Sequence, residues 1–420
     1  LVSDDARPQL IATNRLPPMP GYSGAKPVVC ADHRGHVLVL AHGITRPLGS
    51  DMLLWRSSNR GNSWNAPANL TKEAAKGRFY FDPWLETDRH GGFYFVSSLL
   101  SNPLPLFARS RDAGATWQLS IQIGSQFCDR PVLGVSPNGR ILVVAASLSE
   151  RSTSFPAEPL KGDDPNLSAK IAAAFRHSSG VFMSEDQGTH WRRLSGPFGD
   201  SHAIPFAAAV DDSGRIAAAW IVSGNGSRSS LAISSDAGST WTETSLVASL
   251  QPDRPHPFNG ERFPVLAIDG ESGLHVAYVT SGAKSLEVIS SDDRTKWEAP
   301  VALSHEHAEE VRLAAIDARG PMVHVAWIER TSGEWHTYYC GSRDRGRTWI
   351  DPICVSVTTR EGSEEADGFQ ILSDDDQSCV RDDGLGRVHI VWTIRGGEIM
   401  HSIVDWQPAG GTVSQDDQSR

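Results

Sequence analysis

One eight-residue phrase recurs six times along the chain and limits the fold more than any other feature. The copies are Ser57–Trp64 (SSNRGNSW), Ser110–Trp117 (SRDAGATW), Ser184–Trp191 (SEDQGTHW), Ser234–Trp241 (SSDAGSTW), Ser290–Trp297 (SSDDRTKW) and Ser342–Trp349 (SRDRGRTW). All approximate Ser-x-Asp-x-Gly-x-Thr-Trp. The Trp-to-Trp steps are 53, 74, 50, 56 and 52 residues. Such a period marks a repeat architecture in which each copy is one supersecondary unit.

The phrase has a mechanical reading. Asp or Asn caps a tight turn by accepting backbone N–H bonds. Gly two residues later permits a positive φ. Thr starts a β segment, and Trp packs its ring while its indole N–H finds an acceptor. These Asp residues are therefore read as scaffold, not as catalysts. Two copies depart from the pattern. The first has Asn59 for Asp, and the fifth has Arg294 at the Gly position and Lys296 at the Thr position, which predicts a distorted turn.

A strand, a Gly-containing turn and a second strand precede each box. The stretches run from Pro27 to Ala41, Pro83 to Val96, Pro131 to Ala145, Pro205 to Trp220, Pro264 to Tyr278 and Arg312 to Trp327. With the strands before and after the box, each unit is a four-stranded antiparallel sheet. Trp220, Tyr278, Trp327 and Trp392 end second strands and are expected between neighbouring units. A seventh unit, from Cys379 to Val404, has three strands and no box. The strand-like Pro8–Thr13 is expected to supply its fourth strand and so close a ring without exposed edges.

Composition bounds the function. The chain has 420 residues, 39 Lys plus Arg against 50 Asp plus Glu, a net charge of −11 and a pI near 5.7. Nucleic-acid binding is not expected, because its sequence-independent part needs cationic side chains. No apolar run is long enough to span a membrane. The 13 Trp against 6 Tyr are explained by the boxes. Five Cys show no metal-type spacing, and an odd count leaves one thiol unpaired in a monomer, the expected state. The chain opens Leu1-Val2-Ser3 without Met, consistent with a removed leader and a secreted or periplasmic protein. The sequons at Asn69, Asn166 and Asn225 matter only in a eukaryotic secretory context.

The box resembles the Asp-box, or bacterial neuraminidase repeat, of sialidase-like β-propellers. The resemblance covers about residues 25–405 and implies an all-β propeller of four-stranded antiparallel blades. Seven blades are expected, six being the alternative, in one domain over residues 1–406 with a polar tail at 407–420. Relatives of this type include sialidases, other glycosidases, polysaccharide lyases and non-catalytic proteins. The sialidase residues are mostly unmatched. Where those enzymes open with Arg-Ile-Pro, this chain has Ala25-Lys26-Pro27, and lysine lacks the planar fork that grips a carboxylate. Asp51 is the only carboxylate near the acid/base position. Phe206–Val210 and Ile216–Trp220 stand where a Glu and an Arg belong, and Tyr338 and Tyr339 do not match the nucleophile.

The resemblance places functional groups just before each first strand, at one mouth of a central channel, with the boxes at the other end. Asp82, Asp129, His202, Glu261 and Glu310 are the candidate catalytic groups there, since carboxylates and imidazole move protons. Lys26, Arg130, Arg262 and Arg312 are the candidate substrate-binding groups, since Arg grips carboxylates. The plainer reading is a solvated, charged rim. A helix over Ser168–Phe175 is expected inside the long insertion 147–180. No metal site is assigned; Ca²⁺ is conceivable in the seven-acid loop 358–378, and His305-Glu306-His307-Ala308-Glu309 is a weaker metal candidate. The expected function is a carbohydrate-active enzyme, hydrolase or uronate-directed lyase, acting on an acidic glycan. The alternative is a non-catalytic propeller that binds a glycan or a protein.

Overall fold

A computed structural model describes residues 7–45, 49–71, 80–88, 90–99, 106–121, 123, 127–149, 177–197, 203–222, 228–247, 264–271, 273–280, 282, 284–356, 379–394 and 397–406. These residues build 28 strands in seven four-stranded antiparallel sheets, numbered β1 to β28 in chain order. Six sheets are consecutive: β2–β5, β6–β9, β10–β13, β14–β17, β18–β21 and β22–β25 (blades 1 to 6). The seventh has the order β1-β28-β27-β26. Its outer strand β1 (Gln9–Arg15) pairs antiparallel with β28 (Glu398–Asp405). The expected seven-bladed propeller and its N-terminal clasp are therefore present. The proposed helix over Ser168–Phe175 and the loop 358–378 lie outside the described residues.

The first strands, β2 (Tyr22–Ala31), β6 (Tyr80–Thr87), β10 (Phe127–Val135), β14 (Ala203–Val210), β18 (Val265–Ile268), β22 (Glu310–Arg319) and β26 (Cys379–Asp382), pack side by side, with β26 against β2. They surround the axis and all run the same way. The core is a set of apolar layers between successive blades. Trp220, Trp327 and Trp392, almost wholly buried, anchor three of these layers, and Tyr278 is buried with its hydroxyl donating to Glu287 at 2.7 Å. A large ring in these three layers removes much apolar surface from water.

The boxes close hairpins as the sequence predicts. In the second, Ser110 Oγ donates to Asp112 Oδ1, Gly114 N donates to Ser110 Oγ at 2.8 Å, and Thr116 donates through N and Oγ1 to Asp112 at 2.8 and 2.6 Å. The indole of Trp117 donates to the Gly114 carbonyl at 3.2 Å. The residue before the Gly is left-handed in each of these turns, for example Ala113 at φ 52°. Asn59 does not spoil the first copy. Its Oδ1 accepts from Ser57 Oγ and Ser63 N, both at 2.9 Å, as an Asp would.

The fifth copy corrects the alignment. Ser291 and Asp293 hold the Ser and Asp roles, at 3.4 Å, and the turn is one residue shorter. Arg294 therefore does not replace the Gly. It takes the left-handed position, φ 65°, and reaches Asp211 of blade 4 at 2.9 Å. The same position in the first box, Arg60, pairs with Asp383 of the seventh blade at 2.7 Å. These buried acids start the turns between first and second strands, where Asp383 Oδ1 also accepts from Leu385 N and Arg387 N. Ion pairs thus tie a box to the preceding blade.

Candidate functional site

Each of the first three blades begins with a bulge next to a proline. The register slips between Ala25 and Val28, between Phe81 and Trp84 and between Asp129 and Val132. The bulged residues Lys26, Asp82 and Arg130 have φ 50°, 52° and 50°. Left-handed backbone is unusual for a residue with a side chain, and a following proline restricts it further. A bulge re-aims a side chain, and such strain collects at functional sites. Here it turns three charged residues into one cluster at the mouth.

Lys26 Nζ donates to Asp82 Oδ1, and both side chains are about nine-tenths buried, at 9% and 10% exposed. Burial raises the Asp82 carboxyl, but the charge of Lys26 and then of Arg130 outweighs it and holds the group below its ordinary value. His42, on β3 (Val37–Thr45) opposite Ala25, hydrogen-bonds Ser50. Burial, reinforced by Lys26, pulls its imidazole down to about 4. His42 is thus a neutral donor–acceptor at neutral pH. Next to it, Tyr22 donates to Asp51 at 2.7 Å and Thr71 Oγ1 donates to the other oxygen at 2.9 Å, which locks Asp51 in the wall.

Blade 6 carries the second described cluster at this end. Arg312 Nε donates to Glu310 at 2.9 Å, so the predicted catalytic carboxylate and the predicted substrate-binding guanidinium pair with each other. Arg330 pairs with Glu309 at 3.1 Å. Both guanidiniums lie on the Trp335 ring, 4.7 and 5.5 Å from its centroid. His305, in the loop that leads into β22, is held by Glu329 at 2.8 Å. His305 and His307 sit with ring centroids 5.6 Å apart, but no group of three or more His, Cys, Asp or Glu that could hold a metal forms among the described residues.

The structure therefore brings Lys26, Asp82 and Arg130 together and, separately, Glu310 and Arg312. Asp129 lies on β10 opposite Ser147, and its side chain is outside the described residues. His202, Glu261 and Arg262 are outside them as well. Sequence reasoning missed His42, Trp335 and the His305–Glu329 pair. Alternation along β3 and β23 (Met322–Thr331) was the signal available, but it does not say which polar residue meets which.

Below the mouth the channel has two kinds of wall. Phe206–Val210, Val265–Ile268 and Ala314–Ile316 line it with hydrocarbon. The other side carries Glu86, whose carboxylate accepts from Arg381 and, at 3.0 Å, from Trp84 Nε1, with Asp317 nearby. Burial raises the Glu86 carboxyl above its ordinary value even though Arg381 opposes it. Among the described residues no helix is long and apolar enough to cross a membrane.

No protein-family model and no curated protein sequence matches the chain. Solved structures do. An ulvan lyase from a new polysaccharide lyase family aligns over 92% of this chain and 96% of its own, with TM-score 0.52 and 12% identity. The structure of that lyase bound to -[GlcA(1-4)Rha3S]- aligns over the same shares with TM-score 0.52 and 13% identity. An α-L-arabinanase from Penicillium chrysogenum aligns over 95% and 99%, with TM-score 0.49 and 12% identity. At these identities the likeness is one of fold.

Proposed function

We propose that the chain is a carbohydrate-active enzyme that takes an acidic glycan at the channel mouth and cleaves it by β-elimination next to a uronate. The observation that carries this reading is the set of left-handed bulges that gathers Lys26, Asp82 and Arg130. Backbone strain of about 1–3 kcal/mol per residue is retained where the surrounding structure enforces it, commonly at ligand sites. Arg130 is the carboxylate grip, Lys26 adds charge, and His42, neutral at pH 7, supplies hydrogen bonds to hydroxyls. The fold-level likeness to a lyase whose bound glycan contains glucuronate agrees with this choice.

Elimination is favoured over hydrolysis because of the acids. A glycosidase needs one carboxyl that stays protonated near neutral pH to assist the leaving group. Among the described acids at the mouth, Asp82 is held ionised by Lys26 and Arg130, Glu310 is paired with Arg312, and Asp51 is saturated by Tyr22 and Thr71, while Glu86, the carboxyl that burial raises, lies below the mouth bound to Arg381 and the Trp84 indole. A polysaccharide substrate fits a secreted or periplasmic setting. Incubation with uronate-containing polysaccharides, followed by the ultraviolet absorbance of the unsaturated product, tests the reading. Activity in wild type that is lost in Arg130→Ala supports it. New reducing ends without that absorbance would favour a hydrolase. Binding without any cleavage would favour the non-catalytic alternative.

A further inference from the structure

The axial channel holds a cavity of about 220 Å³, lined by the later parts of the first strands and by the turns that follow them. Those turns touch the boxes, Arg60 N donating to the Gly35 carbonyl at 2.9 Å. The cavity thus lies toward the box end, and none of Lys26, Asp82 and Arg130 lines it. Its charged lining is four carboxylates, Glu86, Asp88, Asp317 and Asp382, against two guanidiniums, Arg319 and Arg381. The wall is therefore net negative.

Two of the four acids are occupied. Asp88 accepts from His90 N, Gly92 N and the Tyr94 hydroxyl, each at 2.8 Å. Asp382 accepts from His324 Nε2 at 3.1 Å and from Gly384 N. Glu86 and Asp317 are only half used. Both bonds to Glu86, from Arg381 and from Trp84 Nε1, end on Oε1. Asp317 accepts from Asp382 N at 2.8 Å through Oδ2. Glu86 Oε2 and Asp317 Oδ1 receive no hydrogen bond among the described residues. The Glu86 side chain keeps 20% of its surface exposed although it lines an interior cavity. Burial raises its carboxyl, and Asp317 adds to the rise against the pull of Arg381. Two carboxylates here share one guanidinium.

We propose that this cavity binds a small organic ammonium ion, with the ammonium at Glu86 and Asp317 and the hydrocarbon body against Phe206–Val210 and Val265–Ile268. The site is separate from the mouth and does not rest on the acidic-glycan reading. A cation that donates N–H bonds satisfies both idle oxygens and offsets the excess negative charge. The Trp84 ring, on the same wall, attracts a cation as well. The apolar wall gains from a ligand that removes it from water. A neutral polyol would fill the two oxygens but leave the charge uncompensated and set hydroxyls against hydrocarbon. The cavity is smaller than the roughly 300–1,000 Å³ of pockets for drug-sized ligands, so the body is a single ring or a short chain.

The test is calorimetric titration of the full chain with cyclohexylammonium and with cyclohexanol, which share a shape and differ in charge. Cyclohexylammonium should bind one per chain, at least about tenfold more tightly than cyclohexanol. Asp317→Asn keeps an oxygen for Asp382 N and should weaken the ammonium about 10–100-fold, leaving cyclohexanol unchanged. Ala209→Leu, which fills the apolar wall, should weaken both, and it decides the matter if Asp317→Asn does not fold. Melting curves check that each variant is native. Absence of cyclohexylammonium binding, or equal binding of the alcohol, overturns the proposal. So does ammonium binding that neither folded variant changes, because the ion would then sit elsewhere.

Discussion

His389 Nδ1 and His401 Nε2 lie 3.0 Å apart between two fully buried rings, so the pair shares one proton on that axis. His389 Nε2 is 3.8 Å from Asp383, which Arg60 of the first blade grips. Trp64 of the first box meets His401 edge-on, with centroids 5.0 Å apart. The place where the last blade meets the first is thus closed by imidazoles, one carboxylate and one guanidinium.

This seam makes the fold sensitive to acid. Burial, and then the neighbouring His389, push the His401 imidazole well below its ordinary value. A His with a depressed folded value contributes stability that is full above the unfolded value of about 6.5 and is lost as pH falls below it. His42, pulled down to about 4, adds to the same slope. The melting temperature should be level from pH 8 to 7 and then fall steadily toward pH 4. His401→Gln should flatten part of that fall; a curve as steep as that of wild type would disprove the assignment.

Breaking the seam's ion pair should cost more than a surface pair. Asp383 is fully buried, and Arg60→Met leaves its charge with less compensation. A loss of roughly 3 kcal/mol is expected from urea unfolding. The double variant with Asp383→Asn should be more stable than the sum of the two single losses by about 1 kcal/mol or more. Strict additivity would mean that the two residues are not coupled.

Box glycines should be intolerant for a steric reason beyond their φ. Gly61 has φ 77°, and a Cβ there would stand 2.6 Å from His401 Cε1. Gly21, at φ 83°, has open space where a Cβ would stand, with nothing within 4 Å. Both alanine variants carry the conformational penalty of about 1 kcal/mol. Gly61→Ala should lose clearly more in chemical denaturation, and similar losses would show that the ring can move aside.

Strain at the mouth should separate stability from activity. Arg130 is left-handed before a proline. Arg130→Gly should be about 1 kcal/mol more stable than Arg130→Ala, because glycine tolerates that backbone. Both variants should lose turnover of the acidic glycan. Equal melting temperatures would argue against the strain, and retained turnover in either would remove Arg130 from the site.

Much of the architecture was legible because its signals are local. Ser110, Asp112, Gly114 and Thr116 bond within one turn, so an eight-residue phrase contains the whole interaction. The fifth box was misaligned because Ser290 and Ser291 are interchangeable as text, and only hydrogen bonding shows that Ser291 serves. The mouth was legible in part. Charge before the first strands pointed to Lys26, Asp82 and Arg130. His42 lay in a segment where nothing local set it apart from an ordinary polar residue, and His305 was read with His307 as a metal candidate because its partner Glu329 is 24 residues away.

The sequence by itself determined the repeated four-stranded unit, its turn and the strand that clasps the last sheet, since period and turn chemistry act over short stretches of chain. The choice of seven blades over six came with the closed ring. Tertiary structure alone decided the partners. Arg60 meets Asp383 across 323 residues, and Arg381 meets Glu86 across 295. Such meetings depend on how far each blade rotates about the axis and on where a bulge turns a side chain. Neither quantity is written in any one repeat, and both are fixed only when the ring closes.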